Sequence, residues 1–203
     1  MRSLFKYFAA VSLVLVMCVQ AKAQNPVELN IGYEMNIPSG SFRNYITNPA
    51  YKGFTAGLAV PLNDQLSLGL SVAYNDYYQK YPRAVYDEGK GSAISAVISN
   101  SIQQVPIMIT ANYTLLKKGF IRPYIGAGGG LNVISFDQYL GEYDNPQSRA
   151  KVTAEGEAGF YIPLSSYSAT AIKIGANYQY APYAKGINLD NWGIHAGIRF
   201  ALR

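Results

Sequence analysis

The sequence predicts an all-β protein: an eight-stranded antiparallel up-and-down barrel that crosses a membrane. Three observations predict it. Eight segments alternate apolar with polar or small residues, the connections between them alternate long and short, and the apolar faces carry no charge in their central part. Side chains of a strand point alternately to its two faces. In a membrane barrel the apolar face meets lipid and the polar face lines the lumen, whereas in a soluble sandwich the apolar face would meet a second sheet.

The composition suits one domain that crosses a membrane with strands. The chain has 203 residues, of which 14% are charged, and it is rich in Tyr (18) and Gly (19). After the first two dozen residues there is no apolar run of about 18 residues, the length a transmembrane helix needs. A barrel strand escapes that criterion because only every second residue is apolar.

The first residues predict a secretory signal peptide. Arg2 and Lys6 give a positive start, residues 8–19 form an apolar core, and residues 21–23 read Ala-Lys-Ala, a typical cleavage pattern. We therefore expect a cleaved leader at 1–23 and a barrel domain at 24–203.

Cys18 offers an alternative, because the preceding Leu-Val-Met faintly resembles a lipoprotein processing site. Met17 is bulky where such sites have a small residue, so cleavage after Ala23 is favoured. That cleavage removes the single cysteine, which excludes an internal disulfide and a thiolate metal site. It also removes Arg2, Lys6 and Lys22, which lowers the formal charge from +5 to +2. Nucleic-acid binding thereby loses its main support.

The first four strands show the alternation plainly. In 29–37 every odd residue is apolar, and in 54–60 every even one is. The third, 66–75, is the strictest, since Leu, Val and Tyr alternate with Ser, Gly, Ala and Asn. In 104–115 the odd residues are apolar, and Pro106 falls near the expected strand start, where a missing backbone donor costs least.

The last four strands are predicted at 120–134, 153–162, 172–180 and 192–202, each with one aliphatic or aromatic face and one polar or glycine face. The glycine-rich run at 126–130 lies inside the fifth strand and does not open a helix. We interpret it as space inside a narrow barrel rather than as a nucleotide-binding loop.

The connections predict how the barrel sits in the membrane. They run long, short, long, short, long, short and medium, at 38–53, 61–64, 76–102, 116–119, 135–149, 164–167 and 181–191. Bacterial outer-membrane barrels have short periplasmic turns and longer extracellular loops, so both termini are expected in the periplasm. The Tyr-rich loop 76–102 is the longest. Two interpretations stay open for its 93–101 part, an extension of the next strand or a short helix.

Aromatic residues on the predicted lipid face fall into two groups, near the two ends of the strands. Rings favour the membrane–water interfaces, so two girdles are expected. The outer girdle comprises Tyr74, Tyr178, Tyr180 and Trp192, and the inner girdle comprises Tyr113, Phe160 and Phe200.

Ionisable residues of the strands fall on the lumen face. They are Glu34, Arg122, Glu155, Glu157, Lys173, His195 and Arg199. The central lipid face has none, which agrees with a cost of ~2–4 kcal/mol for an Arg or Lys placed there. We expect the inward set to form a polar network in which three carboxylates pair with two Arg and one Lys.

Four motifs carry a resemblance to a known family. They read Gly32-Tyr33 with Pro38-Ser-Gly-Ser-Phe42, Val105-Pro-Ile107, Arg122-Pro-Tyr-Ile-Gly-Ala-Gly-Gly129, and Trp192-Gly-Ile with Gly197-Ile-Arg-Phe200. With them the chain resembles the small outer-membrane β-barrel proteins common in Bacteroidota, similar in architecture to the OmpA transmembrane domain and the OmpW group. The resemblance implies outer-membrane lipid and the assembly machinery as partners. Such barrels commonly end on an aromatic residue, whereas this chain ends Phe200-Ala-Leu-Arg203.

The expected function is structural or surface-interacting. Eight strands enclose an interior only wide enough for side chains, so the polar lumen should be closed and the extracellular loops should meet an envelope protein or a glycan. No catalytic residue, cofactor or metal is expected. The alternative is a narrow channel or carrier for small hydrophobic molecules, as the OmpW resemblance implies. A third interpretation is a lipid A-modifying enzyme that uses His195, the single histidine.

Overall fold

The computed structural model describes residues 26–82, 84–87, 93–96, 98–140, 143–164, 170–184 and 186–202, so the expected leader at 1–23 lies outside the described residues. The strands are, in chain order, β1 (Val27–Pro38), β2 (Lys52–Pro61), β3 (Leu66–Lys80), β4 (Ala84–Asp87), β5 (Ala93–Ala96), β6 (Ile98–Thr114), β7 (Arg122–Leu140), β8 (Tyr143–Pro163), β9 (Ala171–Tyr180), β10 (Pro182–Ala184), β11 (Ile187–Asn188) and β12 (Asn191–Leu202). No helix in these ranges is long and apolar enough to cross a membrane.

Eight of the strands form a closed antiparallel barrel in the order β1-β12-β9-β8-β7-β6-β3-β2, and β2 pairs with β1 to close it. This confirms the predicted fold class. Following paired residues around the barrel from Glu28 leads back to β1 at Pro38, ten residues further along. Such a stagger requires tilted strands, and an eight-stranded barrel of this kind leaves an interior that side chains fill.

The outside of the barrel is an aliphatic belt. Ile109, Leu131 and Val152, for example, are 61%, 53% and 70% exposed. Soluble monomers rarely expose so much contiguous apolar surface. In lipid every backbone donor and acceptor must be satisfied within the protein, and the closed ladder meets that requirement.

The predictions of loops at 76–102 and 135–149 were wrong over much of the length of each segment. β3 continues to Lys80, β6 begins at Ile98, and β7 and β8 pair as far as Leu140 and Tyr143. Most of 135–149 and both ends of 76–102 are therefore strand, and the open question at 93–101 resolves as strand in β5 and β6. The alternation of apolar and polar residues does not reveal these strand ends, because a strand beyond the lipid needs no apolar outer face.

Pro106 lies in the middle of β6 and not at its start, since β6 begins eight residues earlier. The β3–β6 ladder is interrupted beside it: Val72 pairs with Ile107, and pairing resumes at Asn75 with Gln104. The missing proline N–H explains why a break is tolerated at this position.

The first long connection folds back over the barrel mouth instead of standing out as a polar loop. It contains a short 3-10 helix, η1 (Gly40–Asn44), entered through Gly40 at φ +55°, a left-handed conformation that favours glycine. Ser41 Oγ donates to the backbone oxygen of Asn188 at 2.8 Å and accepts from the Asn188 N–H at 2.9 Å. The Ser39 N–H also donates to the Asp190 backbone oxygen at 2.9 Å. The first connection, between β1 and β2, and the last, which leads from β9 to β12, are thus joined.

Candidate functional site

The lumen is filled in layers, which follow from the inward residues of successive rungs of the tilted strands. From the long-loop end to the short-turn end we distinguish a cap, an amide layer, a charged layer and a tyrosine layer.

The cap is an apolar cluster at the long-loop end. Its fully buried members are Phe42, Ile46, Tyr77, Ile102, Ile134, Ala181 and Leu189, joined by Ala50 and Tyr183. Phe42, from η1, packs edge-on against Tyr77 with ring centroids 4.8 Å apart. The sequence already places Ile134 on the inward face, but η1 and its buried Phe42 carry no periodic signal and were not predicted.

The amide layer lies beneath the cap and consists of buried Asn36, Asn75, Gln104, Asn132, Asn177, Gln179 and Asn191. Its members pair across strands. Asn36 Nδ2 donates to Asn75 Oδ1 at 2.8 Å, Asn132 Nδ2 donates to Gln104 Oε1 at 2.8 Å, and Asn191 Nδ2 donates to Gln179 Oε1 at 3.1 Å. An amide offers both donor and acceptor, so these side chains can fill a narrow lumen without charge.

The charged layer is centred on Glu157. Lys173 Nζ lies 2.9 Å from Oε2 and 3.2 Å from Oε1 of this carboxylate. His195 Nε2 lies 3.6 Å from Glu157 Oε2 and 3.0 Å from the Tyr124 hydroxyl. In its hydrogen-bonded orientation, the Asn112 amide donates to Glu157 Oε1 at 2.7 Å. Charge-assisted hydrogen bonds of this kind fix each member of the group.

Glu34 and Glu155 complete the charged layer. Asn177 Nδ2 donates to Glu34 Oε1 and to Glu155 Oε2, both at 3.0 Å. Both carboxylates and Lys173 line a cavity of about 70 Å³, whose opposite wall contains small residues of β2 and β3 such as Gly57 and Ala73. At the level of the charged layer, side chains therefore fill the lumen beside Glu34, Glu155 and Lys173, and the cavity lies beside β2 and β3.

The tyrosine layer closes the short-turn end. Tyr124 and Tyr161 stack with ring centroids 4.3 Å apart, and the Arg199 guanidinium lies over Tyr161 at 4.1 Å. Arg199 also pairs with Glu28 at 3.2 Å. Glu28 was missed because the predicted first strand began at residue 29.

The seven predicted lumen residues divide between these layers. Glu34, Glu155, Glu157, Lys173 and His195 lie together in the charged layer, whereas Arg122 and Arg199 line the opening at the short-turn end. The expected pairing of the three carboxylates with both arginines was wrong. Arg199 pairs with Glu28, and within the described ranges no carboxylate lies within 4 Å of an Arg122 nitrogen. The tilt of the strands sets the two arginines below the glutamates.

The predicted outer-girdle residues lie at the long-loop end of the lipid face. Trp192 and Tyr180 are exposed, and Tyr178 packs on Trp192 with ring centroids 4.8 Å apart. Tyr74 is half-buried because it stacks on Phe54 at 5.5 Å. Phe54, 58% exposed, belongs to the same group, although the prediction omitted it.

At the other end Tyr113 and Phe160 are exposed on the lipid face and Phe200 is half-buried. Among the described residues, no group of three or more His, Cys, Asp or Glu side chains is arranged to hold a metal ion.

A sequence model of the outer membrane protein beta-barrel domain matches residues 9–200 of the chain. Two solved structures have the same fold. The chain is similar to Neisserial surface protein A, with 17% identity and a TM-score of 0.52 over 87% of this chain and 96% of that one. It is also similar to OprG from Pseudomonas aeruginosa, with 14% identity and a TM-score of 0.57 over 88% of this chain and 96% of that one. No curated protein sequence matches the chain.

Proposed function

Because the chain belongs to the outer membrane protein β-barrel family, and so to the bacterial outer membrane, we propose that it is a non-enzymatic surface-interaction protein with a closed lumen. Its binding surface is formed by strands and connections that rise above the outer girdle. The observation that carries the proposal is the filling of the lumen by four layers beneath an ordered outer surface.

The closed lumen supports a role that does not depend on transport. The cap residues Phe42, Ile46 and Leu189 are fully buried at the outer mouth. The cavity in the charged layer measures about 70 Å³, which is room for only a few waters at ~30 Å³ each. A solute that entered from outside would have to displace the cap and break the amide pairs beneath it.

The outer surface supports an interaction role. We call the parts of β3, β6, β7 and β8 beyond the girdle, residues 75–80, 98–104, 134–140 and 143–149, the raised wall. The lipid-facing row Val105, Val133 and Ala150 is followed one rung higher by Gln103, Ser135 and Ser148, so the wall begins where the outer face becomes polar. Seven residues of strand reach about 20 Å.

The raised wall is held rigidly, which suits recognition of a partner. Its inward side chains Tyr77, Ile102 and Ile134 belong to the cap, so the wall cannot move without disturbing the apolar cluster. Its polar outward face and the connection between β3 and β6 would then meet an envelope protein or a glycan.

The test is to remove the connection between β3 and β6. The last paired residues are Lys80 and Ser99, so replacing residues 82–97 by Asn-Gly leaves the ladder in register and supplies a favoured tight turn. The variant should fold, as judged by its heat-dependent mobility shift on gels. Cells carrying it should lose binding to a glycan array and lose cross-links to neighbouring envelope proteins.

The control replaces Lys117 and Lys118 of a periplasmic turn by Asn-Gly, which should leave surface binding unchanged. If the β3–β6 variant folds and keeps all binding and cross-links of the wild type, the proposed location of the binding surface is wrong.

The non-enzymatic part of the proposal rests on the surroundings of His195. The ring is 6% exposed, contacts Tyr124 and Glu157, and lies beneath the amide layer, away from lipid A at the outer leaflet. Lipid A mass spectra from cells with wild-type protein and with His195→Ala should be identical. A modified lipid A species that disappears with the substitution would establish an enzyme.

A second candidate, a carrier for small hydrophobic molecules, is favoured by the interrupted β3–β6 ladder. The interruption lies beside Pro106, and Ala73 and Met108 nearby line the cavity. If the gap is a lateral exit, Pro106→Val, which restores a backbone donor, should slow uptake of a small hydrophobic dye into vesicles. Equal, background-level uptake with wild type and variant would remove this candidate.

The leader and the source belong to the same proposal. We expect the membrane-inserted protein to begin at Gln24, which N-terminal sequencing of the outer-membrane fraction tests. The motifs around Arg122 and Trp192 support a source in Bacteroidota.

A further inference from the structure

Three side-chain oxygens converge beside Gly193 at the boundary of the amide and charged layers. A methyl group on Gly193 would lie 2.7 Å from Asn36 Oδ1, 2.7 Å from Glu34 Oε1 and closer still to Asn177 Oδ1. Asn36 and Asn177 are the neighbours of Gly193 in the register on either side. The three oxygens therefore pack over the bare Cα of Gly193, and we call the point where they converge the recess.

Two of these oxygens accept no hydrogen bond from any residue that the structure describes. Asn36 Oδ1 and Asn177 Oδ1 are buried without a donor partner in that part of the chain, and their residues are 0% and 4% exposed. Reversing the amides would not help. Asn36 Nδ2 is needed by Asn75, and Asn177 Nδ2 is needed by Glu34 and Glu155. Buried polar oxygens are normally satisfied, so this recess calls for an electropositive occupant.

The charge of the surrounding layer favours the same kind of occupant. Of its three carboxylates, Glu157 is paired with Lys173. Within the described part of the chain, neither Glu34 nor Glu155 lies within 4 Å of a Lys or Arg nitrogen. Two carboxylates joined only through one Asn177 amide group therefore line the same cavity. Buried charges are normally paired or coordinate a metal.

We propose that this recess binds one Ca²⁺ ion, held by Glu34, Glu155 and the side-chain oxygens of Asn36 and Asn177. All four are hard oxygen ligands, the type that Ca²⁺ takes in sets of six to eight with flexible geometry. The adjoining cavity of about 70 Å³ has room for the water ligands that complete the set. A divalent charge balances the two carboxylates. Mg²⁺, which demands near-ideal octahedral geometry, fits an irregular amide and carboxylate set less well.

The proposal is tested on the whole mature barrel, refolded in detergent from calcium-free buffer. Because the cap and the amide layer lie between the recess and the outer mouth, refolding is carried out with and without CaCl2. Equilibrium dialysis with radioactive calcium should give one ion per chain. The thermal midpoint should rise with Ca²⁺ and fall with a chelator, since a ligand that binds only the folded state stabilises it.

Three variants locate the ion. Glu34→Gln and Glu155→Gln keep the side-chain size and should weaken Ca²⁺ binding by about tenfold or more, because affinity follows the number of charged ligands. Gly193→Ala fills the recess and should abolish binding. Folding of each is checked first by the gel mobility shift, and the wild-type stoichiometry decides the outcome if a variant does not fold.

Two matched controls should bind as the wild type does. Glu28→Gln removes a carboxylate that is paired with Arg199 near the periplasmic end. Gly156→Ala adds a methyl group where no atom lies within 4 Å. The proposal is overturned if the wild-type barrel takes up no Ca²⁺, or if Glu34→Gln and Gly193→Ala take up as much Ca²⁺ as the wild type. Water alone would then bridge the oxygens.

Discussion

Glu157 shows how one buried charge organises its neighbours. Its oxygens contact Lys173, Tyr124 and Asn112, and its side chain is 8% exposed. Removing one partner of such a pair leaves an uncompensated buried charge. We expect Lys173→Met to destabilise the barrel by ~3–5 kcal/mol, measured by urea unfolding in lipid vesicles.

The matching control is the double variant Lys173→Met with Glu157→Gln. It removes both charges, and because a buried ion pair often contributes little net stability it should regain most of the loss. A single variant as stable as the wild type would mean that Glu157 finds another partner.

Gly126 has a close neighbour on the inward face. A Cβ there would lie 2.7 Å from Glu157 Cγ and 2.8 Å from Glu157 Oε1, and closer to the Asn112 amide. Gly126→Ala should therefore cost ~1–3 kcal/mol, the usual range for overpacking. Gly156→Ala on the outward face should change the unfolding free energy little. Equal losses in both would show that backbone flexibility, and not crowding, determines the effect.

Period-two alternation predicts the face of each lumen residue but not its contacts. Glu155 and Arg199 both point inward, as the sequence indicates. They do not meet, because the register places Arg199 opposite Asn30, beside Glu28, and Glu155 higher in the lumen. The stagger of ten residues is a property of barrel closure, and no local pattern contains it. The close partner of Arg199, Glu28, lies 171 positions away in the chain.

At the level of elements, the sequence predicts strands where lipid imposes alternation and fails where lipid ends. Residues 135–140 read Ser-Phe-Asp-Gln-Tyr-Leu, which has no apolar face of its own, yet they extend β7 and pair with β8. Their strand conformation follows from continuing a hairpin that has already formed below. The short turns were easier to predict, because Pro61-Leu-Asn-Asp64 consists largely of residues that favour turns. In the structure, Asn63 Oδ1 accepts hydrogen bonds from the N–H groups of Gln65 and Leu66 at 2.8 Å each.

The element that closes the outer mouth, η1, can be tested through its two anchors. Phe42 is fully buried against Tyr77, and Ser41 exchanges two hydrogen bonds with Asn188. Phe42→Ala should cost ~3–5 kcal/mol if the cavity does not collapse, and Ser41→Ala about 1–3 kcal/mol for its unsatisfied partners. Both are measured as shifts of the urea midpoint. Arg43→Ala, an exposed neighbour, is the control. A Phe42→Ala midpoint equal to that of the control would mean that the cap does not depend on η1.

At the scale of the whole molecule, the two faces of the barrel strands meet opposite requirements. The outer face must carry no charge in lipid, and below the apolar cap the inner face of eight strands must be filled mainly by polar side chains. Amides, one lysine–glutamate pair and stacked tyrosines fill it, while Ile109, Leu131 and Val152 stay outside. Polar side chains thus lie inside and apolar ones outside, the reverse of a soluble protein. The mean hydropathy of +0.01 does not reveal this arrangement, because it averages over both faces.

Closure at several levels predicts an electrically silent barrel. Single-channel recording of the wild type in planar bilayers should give no steps above background. Phe42→Ala should remain silent, because the buried side chains of the amide layer, among them Gln104, Asn132 and Asn191, still occupy the lumen below the cap. Conductance should appear only when the cap, the amide layer and the charged layer are all reduced, for example in Phe42→Ala combined with Gln104→Ala and Lys173→Ala. Steady conductance in the wild type would contradict the layered closure and favour transport, whereas steps only in Phe42→Ala would make the cap the sole barrier.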